Sequence, residues 1–383
     1  MCDILKHTTM KTGDKTMKKI HRTLSLFTVA AMCAALLCSC GAVSDSSQTD
    51  SSSKAAATTT ADTTADTTTT GEASSTASAT SAPDSSVSDS SSAVTDDTKT
   101  NGITPAMWKV TSPEGNTMVM LGSFHALKDE CYPLPEAVTN AYNKADILAV
   151  ECDITSTSED GEYMKNLMKQ MLYNDNTKLS QHISEEAYSA LQTYLGYWGM
   201  DISALEVYRP WAVSSTLDTL LIQDSDFDTE KGLDNFLLTT AHADGKEIYE
   251  VESVDFQMNL LINFSDDIYD LMFRSYEGET KESQKQALED LYTAWKSGDI
   301  ETFLEEDNEE ELAGYTEEDK KIAEDYNNQM LYDRNKNMAK AAEDLMSQGK
   351  NVFYVVGAAH YAGEGGIIDL LEKDGYTAER VQY

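Results

Sequence analysis

Five consecutive β-branched and aromatic residues, Val352-Phe-Tyr-Val-Val356, leave this chain few folds to choose from. A strand with no polar position on either face must be covered on both, which implies a sheet with helices packed above and below it. Gly357 ends the run and Ala358-Ala-His360 follows as a tight turn. The glycines from Gly363 to Gly366 let the backbone bend closely around that histidine before Ile367, Ile368, Leu370 and Leu371 begin an apolar helix face. The same grammar occurs once upstream, where Thr117-Met-Val-Met-Leu121 runs into Gly122-Ser-Phe-His125. Two histidines are therefore expected just past the carboxyl ends of two strands.

The remaining pattern fills in an α/β domain. Trp108 to Ser112 and Thr117 to Leu121 flank Pro113-Glu-Gly-Asn116, which has the residues of a hairpin turn. Further strands are expected at Asp146 to Asp153, Lys246 to Glu252 and Thr377 to Val381, the last forming a pair with Val352 to Val356 across a helix that ends at Asp374-Gly375. Helical periodicity covers a segment through Ala137, Tyr142 and Ala145, most of 160 to 225 with a capping box at Ser184, Gly232 to Ala243, and 255 to 347. Strands separated by helices predict a mainly parallel mixed sheet flanked by helices, with a large helical insertion. Strand order does not follow from the pattern. Whether the acidic insertion at 265 to 330 covers the crevice or forms a solvated flank also stays open.

The 383 residues are not uniform. Met17-Lys-Lys-Ile-His-Arg22 is a basic start and Leu24 to Leu37 an apolar run too short for a comfortable membrane span, together an export signal. It ends in Leu37-Cys-Ser-Cys-Gly41, which resembles a bacterial lipobox with Cys40 as the lipidated first residue. Residues 41 to 100 are almost all Ser, Thr, Ala and Asp, which cannot bury enough apolar surface to order the chain, so a disordered tether is expected there. The folded domain then runs from 101 to 383, held outside the cytoplasm on a membrane by its lipid. Residues 1 to 100 carry eight Lys/Arg and eleven Asp/Glu of the chain's 29 and 66, so the domain keeps a formal charge of -34. That balance excludes nucleic acid and an anionic membrane surface as partners and favours cations. Cys131 and Cys152 are the cysteines of the domain, free or paired, with no Cys-x-x-Cys metal motif.

In α/β sheets ligands gather beyond the carboxyl ends of the strands. His125, Glu151, Glu252 and His360 are expected at four such ends, whereas His182 and His242 fall at a helix start and a helix end. Two imidazoles and one or two carboxylates on one rim could hold a divalent metal with a position left for water, a spare carboxylate serving as general base. The plainer alternatives are a hydrogen-bonded turn histidine and a carboxylate that caps the next helix. Arg334 lies four residues from both Met330 and Met338 in an apolar stripe, so its guanidinium needs an anion: a site carboxylate, a substrate carboxylate or a developing oxyanion. Asp234 reads as a helix cap or a catalytic acid, and Arg209 before Pro210-Trp211 is a weaker signal.

Taken in order, Met120-Leu-Gly-Ser-Phe-His125 with Pro133-Leu-Pro135, Ala145-Asp-Ile-Leu-Ala-Val-Glu151, Gly232-Leu-Asp234, Gly245-Lys-Glu-Ile-Tyr-Glu-Val-Glu252 with Gln257, Asp333-Arg-Asn335 and Val356-Gly-Ala-Ala-His360 resemble the TraB/GumN family, which includes the TIKI proteins. Ser123-Phe124 departs from the family's usual Thr and aliphatic residue. The resemblance implies a catalytic set of His125, Glu151, Arg334 and His360, with His125, Glu151 and His360 as ligands of a divalent metal. It implies substrate binding by Asp234, Glu252 and Asn335. TIKI members are regarded as divalent-metal-dependent proteases and TraB is associated with a peptide pheromone, which implies a metal-dependent hydrolase or peptidase acting on a peptide. The family's remote likeness to haem-binding lipoproteins implies an alternative, a non-catalytic lipoprotein that captures a haem-like or peptide ligand. A domain that only recruits partners is a third reading.

Overall fold

The computed structural model describes residues 102–155, 161–304 and 315–383. The export signal, Cys40 and the Ser/Thr-rich tract lie outside the described residues.

Strands β1 (Met107–Thr111) and β2 (Thr117–Ser123) form the expected hairpin, with Lys109 opposite Val119. Strands β3 (Ile147–Val150), β4 (Glu247–Glu250), β5 (Val352–Gly357) and β6 (Thr377–Arg380) complete a six-stranded sheet of order β4-β3-β5-β2-β1-β6. The first four in that order run parallel, while β1 is antiparallel to both of its neighbours. The sheet is thus mixed and mostly parallel. Phe353, Tyr354, Val355 and Val356 are completely inaccessible, as a strand with no polar face requires.

One expected pairing is corrected. β6 does not lie beside β5 but pairs with β1 at the far edge, Trp108 opposite Arg380. Both edges of β5 are already taken by β2 and β3, and the Thr-Ala-Glu-Arg sequence of β6 is polar enough for an edge.

Helices cover the sheet. They are α1 (Glu136–Lys144), α2 (Gly161–Gln170), α3 (Glu185–Gly196), α4 (Pro210–Gln223), α5 (Leu233–Asp244), α6 (Val254–Asn263), α7 (Asp266–Arg274), α8 (Lys281–Ser297), α9 (Glu317–Asn327), α10 (Asp333–Ser347) and α11 (Ile367–Lys373). Ser184 caps α3 by accepting from the Ala187 N–H, but the expected box does not close because alanine has no side chain to return the bond. Pro210 opens α4, where a missing N–H costs nothing, and Gly245 closes α5 at φ 67°. A π-helical turn, Asn328–Tyr332, joins α9 to α10 and interrupts the helical periodicity read there. Among the described residues no helix is long and apolar enough to cross a membrane. Cys131 and Cys152 are buried thiols, beside the Tyr292 hydroxyl at 3.1 Å and the Gln257 Oε1 at 3.3 Å.

Helix α4 buries one carboxyl group without compensation. Asp218 is 5% exposed, its Oδ2 has no hydrogen-bond partner among the described residues, and burial pushes its pKa well above the ordinary carboxylate range. The folded form therefore binds the proton more tightly than the unfolded chain. Stability is highest below the unfolded value near 4 and is lost as pH rises through the raised folded value. Asp218→Asn removes that slope. In thermal melts at pH 5, 6.5 and 8 the midpoint of the variant should move in its favour relative to wild type as pH rises; a difference that stays constant contradicts a buried, uncompensated carboxyl group.

Candidate active site

Three neighbouring parallel strands end on one rim. Ser123 of β2 is in register with Gly357 of β5, and Val150 of β3 with Val355. His125 lies two residues beyond β2, Glu151 directly follows β3, and His360 sits in a short 3-10 turn, Ala358–Tyr361, after β5. Gly357 shows how tightly they converge. A Cβ placed there would lie 3.0 Å from Glu151 Oε1, 3.6 Å from His360 Cδ2 and 3.7 Å from His125 Nε2. A side chain there would press on the carboxylate oxygen.

The carboxylates are held by one guanidinium. Arg334 Nη2 donates to Glu151 Oε2 at 2.7 Å and to Glu252 Oε2 at 2.8 Å, Nε donates to Glu252 Oε1 at 2.9 Å, and Nη1 donates to the Met330 carbonyl at 3.1 Å. Among the described residues, four of the five guanidinium N–H groups find acceptors and one on Nη1 does not. Gln257 Nε2 bridges the same two carboxylates, at 2.9 Å from Glu151 and 2.7 Å from Glu252, and the Gly357 N–H donates to Glu151 Oε1 at 2.7 Å. Burial alone would raise the Glu151 pKa, but Arg334, followed by His360 and His125, holds this carboxyl well below the usual range. Burial likewise opposes the charge on Arg334, and Glu151 and Glu252 outweigh it.

The two imidazoles are oriented from behind. His360 Nδ1 is 2.6 Å from Asn335 Oδ1, and Asn335 Nδ2 donates to the Gly365 carbonyl at 3.0 Å, which fixes the amide. Nδ1 is therefore the N–H, and Nε2 keeps its lone pair 3.7 Å from Glu151 Oε1. Burial, then Arg334, pushes the His360 pKa down to about 3. His125 meets the opposite balance. Burial lowers its affinity for a proton, but the charge and 2.8 Å hydrogen bond of Asp234, with Glu151 beyond, raise the pKa to about 9. A third of the His125 side chain remains exposed. The first turn of α5 is pressed against the His125 backbone: a Cβ on Gly232 would lie 2.1 Å from the His125 carbonyl oxygen, and the Leu233 N–H donates to the Phe124 carbonyl at 3.0 Å. Asp234 is thus not the cap of α5, which is Gly232; its carboxylate serves His125.

A pocket of about 110 Å³, partly open to solvent, lies over this rim. His125, Glu151, Asp234, Arg334 and His360 line it, together with Ser123. Glu252 and Asn335, expected to touch substrate, are not on its wall. Their side chains are committed to Arg334 and Gln257 and to His360, and they reach the pocket only through those residues. His182 and His242 lie apart from it, bonded to Asp266 at 2.8 Å and Asp153 at 2.7 Å, and Arg209 stands over the Tyr173 ring 6.0 Å from its centroid.

A match to the TraB/PrgY/gumN family covers residues 106–380. The chain belongs to that family. Among its relatives a "Metalloprotease TIKI homolog" of Nematostella vectensis is 25% identical over 293 residues, 65% of this chain and 61% of the relative. The "Uncharacterized protein YbaP" of Escherichia coli K12 is 25% identical over 157 residues, 41% of this chain and 56% of that protein. "Metalloprotease TIKI2" of Danio rerio is 25% identical over 164 residues, 38% of this chain and 32% of the relative. The chain therefore spans less than two thirds of each of these relatives. No solved structure matches.

Among the described residues of this family member, no three His, Cys, Asp or Glu side chains are gathered closely enough to hold a metal ion as they stand. Their chemistry nonetheless suits a divalent ion. His125 turns Nε2 toward Gly357 while Asp234 holds its Nδ1, and Asn335 holds Nδ1 of His360, the usual outer support of ligating histidines. Nε2 of the charged His125 must shed its proton before it can ligate. Gln257 and Ser123 are members of the site that motif reading did not single out for a role. Gln257 was visible as a polar residue on the buried stripe of α6, between Val254, Met258 and Leu261. Ser123, at the end of a strand, gave no such signal.

Removing the guanidinium leaves two carboxylates buried without a counter-charge. Arg334→Met should cost about 3–5 kcal/mol in urea unfolding, with part of it recovered by Arg334→Met combined with Glu252→Gln. A loss below about 1 kcal/mol would show that the clamp is not a stabilising element.

Proposed function

We propose that this chain is an envelope-tethered, divalent-metal-dependent hydrolase that cleaves peptides, carried outside the cytoplasm by the export signal and Cys40. The observation that carries the reading is the placement of His125, Glu151 and His360 around Gly357 on a pocket wall, with His125 Nε2, Glu151 Oε1 and His360 Cδ2 within 4 Å of where a Cβ on that glycine would lie. Support comes from relatives named metalloproteases, two of them 25% identical to this chain. The acidic balance of the folded part adds to it, since a negative surface concentrates cations.

His125, His360 and Glu151 are the residues that would hold a divalent ion, which when bound would supply an acidified water and polarise the carbonyl under attack. The surrounding residues act by position. Asn335 keeps the His360 lone pair on Nε2, the nitrogen on the Glu151 side, and Asp234 holds His125 by Nδ1. Arg334 and Gln257 keep Glu151 ionised and its Oε1 turned to the imidazoles. Arg334 is therefore a positioning residue first, with one N–H left to meet substrate. The low dielectric of the buried rim strengthens each of these interactions over its value in water.

Full-length protein purified without chelator should carry a divalent ion in elemental analysis. His125→Ala and His360→Ala should each lose most of it, together with any chelator-sensitive cleavage of a peptide library. Wild-type metal content in both variants would falsify the reading.

A further inference from the structure

The pocket over the rim has a second end, unlike the first. Away from the histidines its walls are Ile222 of α4, Leu260 and Leu261 of α6, Leu288 and Leu291 of α8, and Phe303. These residues come from separate segments and meet only in the folded chain, so the chamber is not the stripe of a single helix. The acidic segment that follows α6 supplies three of the six, and it thereby forms a wall of the site rather than a solvated flank. Protein interiors are otherwise packed to crystal density, so a cavity of about 110 Å³, several times what one water needs, leaves room for side chains of a ligand. An apolar chamber continuous with a charged rim fits a molecule that is apolar at one end and carries a polar, polarisable group at the other.

Polar atoms within the pocket narrow the class. Ser123 Oγ is buried with no hydrogen-bond partner among the described residues, and Ser123 lines the pocket beside His125. Asn327 and Met330 also line the wall, and Arg334 retains one N–H without a partner among the described residues. A plain acyl chain would leave these groups without partners, whereas a peptide backbone supplies a carbonyl and an N–H at each residue.

We propose that the chamber is a specificity pocket for large apolar side chains next to the bond presented to His125 and His360, so that the substrates are peptides with Leu-, Ile- or Phe-like residues at that point. Acidic flanks are disfavoured by the charge of -34 on the folded part. The word "substrate" rests on the hydrolase reading; the binding preference does not.

The test measures binding rather than turnover. Fluorescein-labelled hexapeptides of Gly and Ser, with a central Leu-Leu, Phe-Phe or Asp-Asp pair or no replacement, are titrated with full-length protein by fluorescence anisotropy, with and without EDTA. The Leu-Leu and Phe-Phe peptides should bind about tenfold or more tightly than the unreplaced control, as burial of two apolar side chains allows, and Asp-Asp no better than it. Leu260→Trp and Leu291→Phe, which fill the chamber, should each reduce the ratio of Leu-Leu to control binding, with thermal melts recorded to show that each variant is folded at the assay temperature. If a variant melts early, competition with unlabelled Leu-Leu peptide on wild type supplies the same comparison. Equal binding of all peptides, a preference that survives both filling variants, or stronger binding of dodecanoyl-aminofluorescein than of any peptide would each overturn the proposal. Cleavage without apolar preference sinks the chamber and spares the hydrolase. Preference without cleavage does the reverse.

Discussion

Arg334 is buried between two carboxylates, and much of the site is arranged around that fact. Taking a guanidinium and two carboxylates out of water is expensive, and the arrangement holds because nearly every donor finds an acceptor. The partners come from far apart in the chain. Glu151 follows β3, Glu252 follows β4, Gln257 is on α6, and Arg334 opens α10 after the π-helical turn. One cluster of charges thus joins the sheet to the helical segment between β4 and β5. It also fixes the oxygen that faces the two histidines.

The sheet supplies the second constraint. Because β5 lies between β3 and β2, the turn carrying His360 emerges between Glu151 and His125. Gly357, without a side chain, lets the three approach. The imidazoles then diverge in character: His360 is sealed, backed by an amide and neutral, while His125 is open to the pocket and backed by a carboxylate. These opposed environments on a shared rim set the proton affinities of the two rings far apart. The apolar chamber beyond them gives the rim a direction along which a ligand can lie.

Several of these features were legible in the sequence, for identifiable reasons. An apolar run with no alternation can only be an interior strand, and Val352 to Val356 is one. A cation four residues from two buried methionines must be buried with them, and Arg334 is. Other readings failed where a local pattern was asked to report a distant partner. The β5–β6 pairing followed chain order, but the edges of β5 were already filled by β2 and β3. The family resemblance implied substrate binding by Glu252 and Asn335, and in the structure their side chains hold Arg334 and His360. Asp234 looked like a cap because it opens a helix, but a glycine was needed there to clear the His125 carbonyl.

By itself the sequence determined the elements, the burial of each, and the placement of polar residues at strand ends, since periodicity and turn chemistry act over a few residues. Tertiary structure alone decided the order of the strands, the choice of Glu151 and Glu252 as the partners of Arg334, and the chamber built from α4, α6, α8 and Phe303. Those outcomes depend on contacts between residues up to about two hundred positions apart. No local pattern encodes which of several buried acids a guanidinium will meet, because the choice is made by packing and by the cost of leaving any of them unpaired.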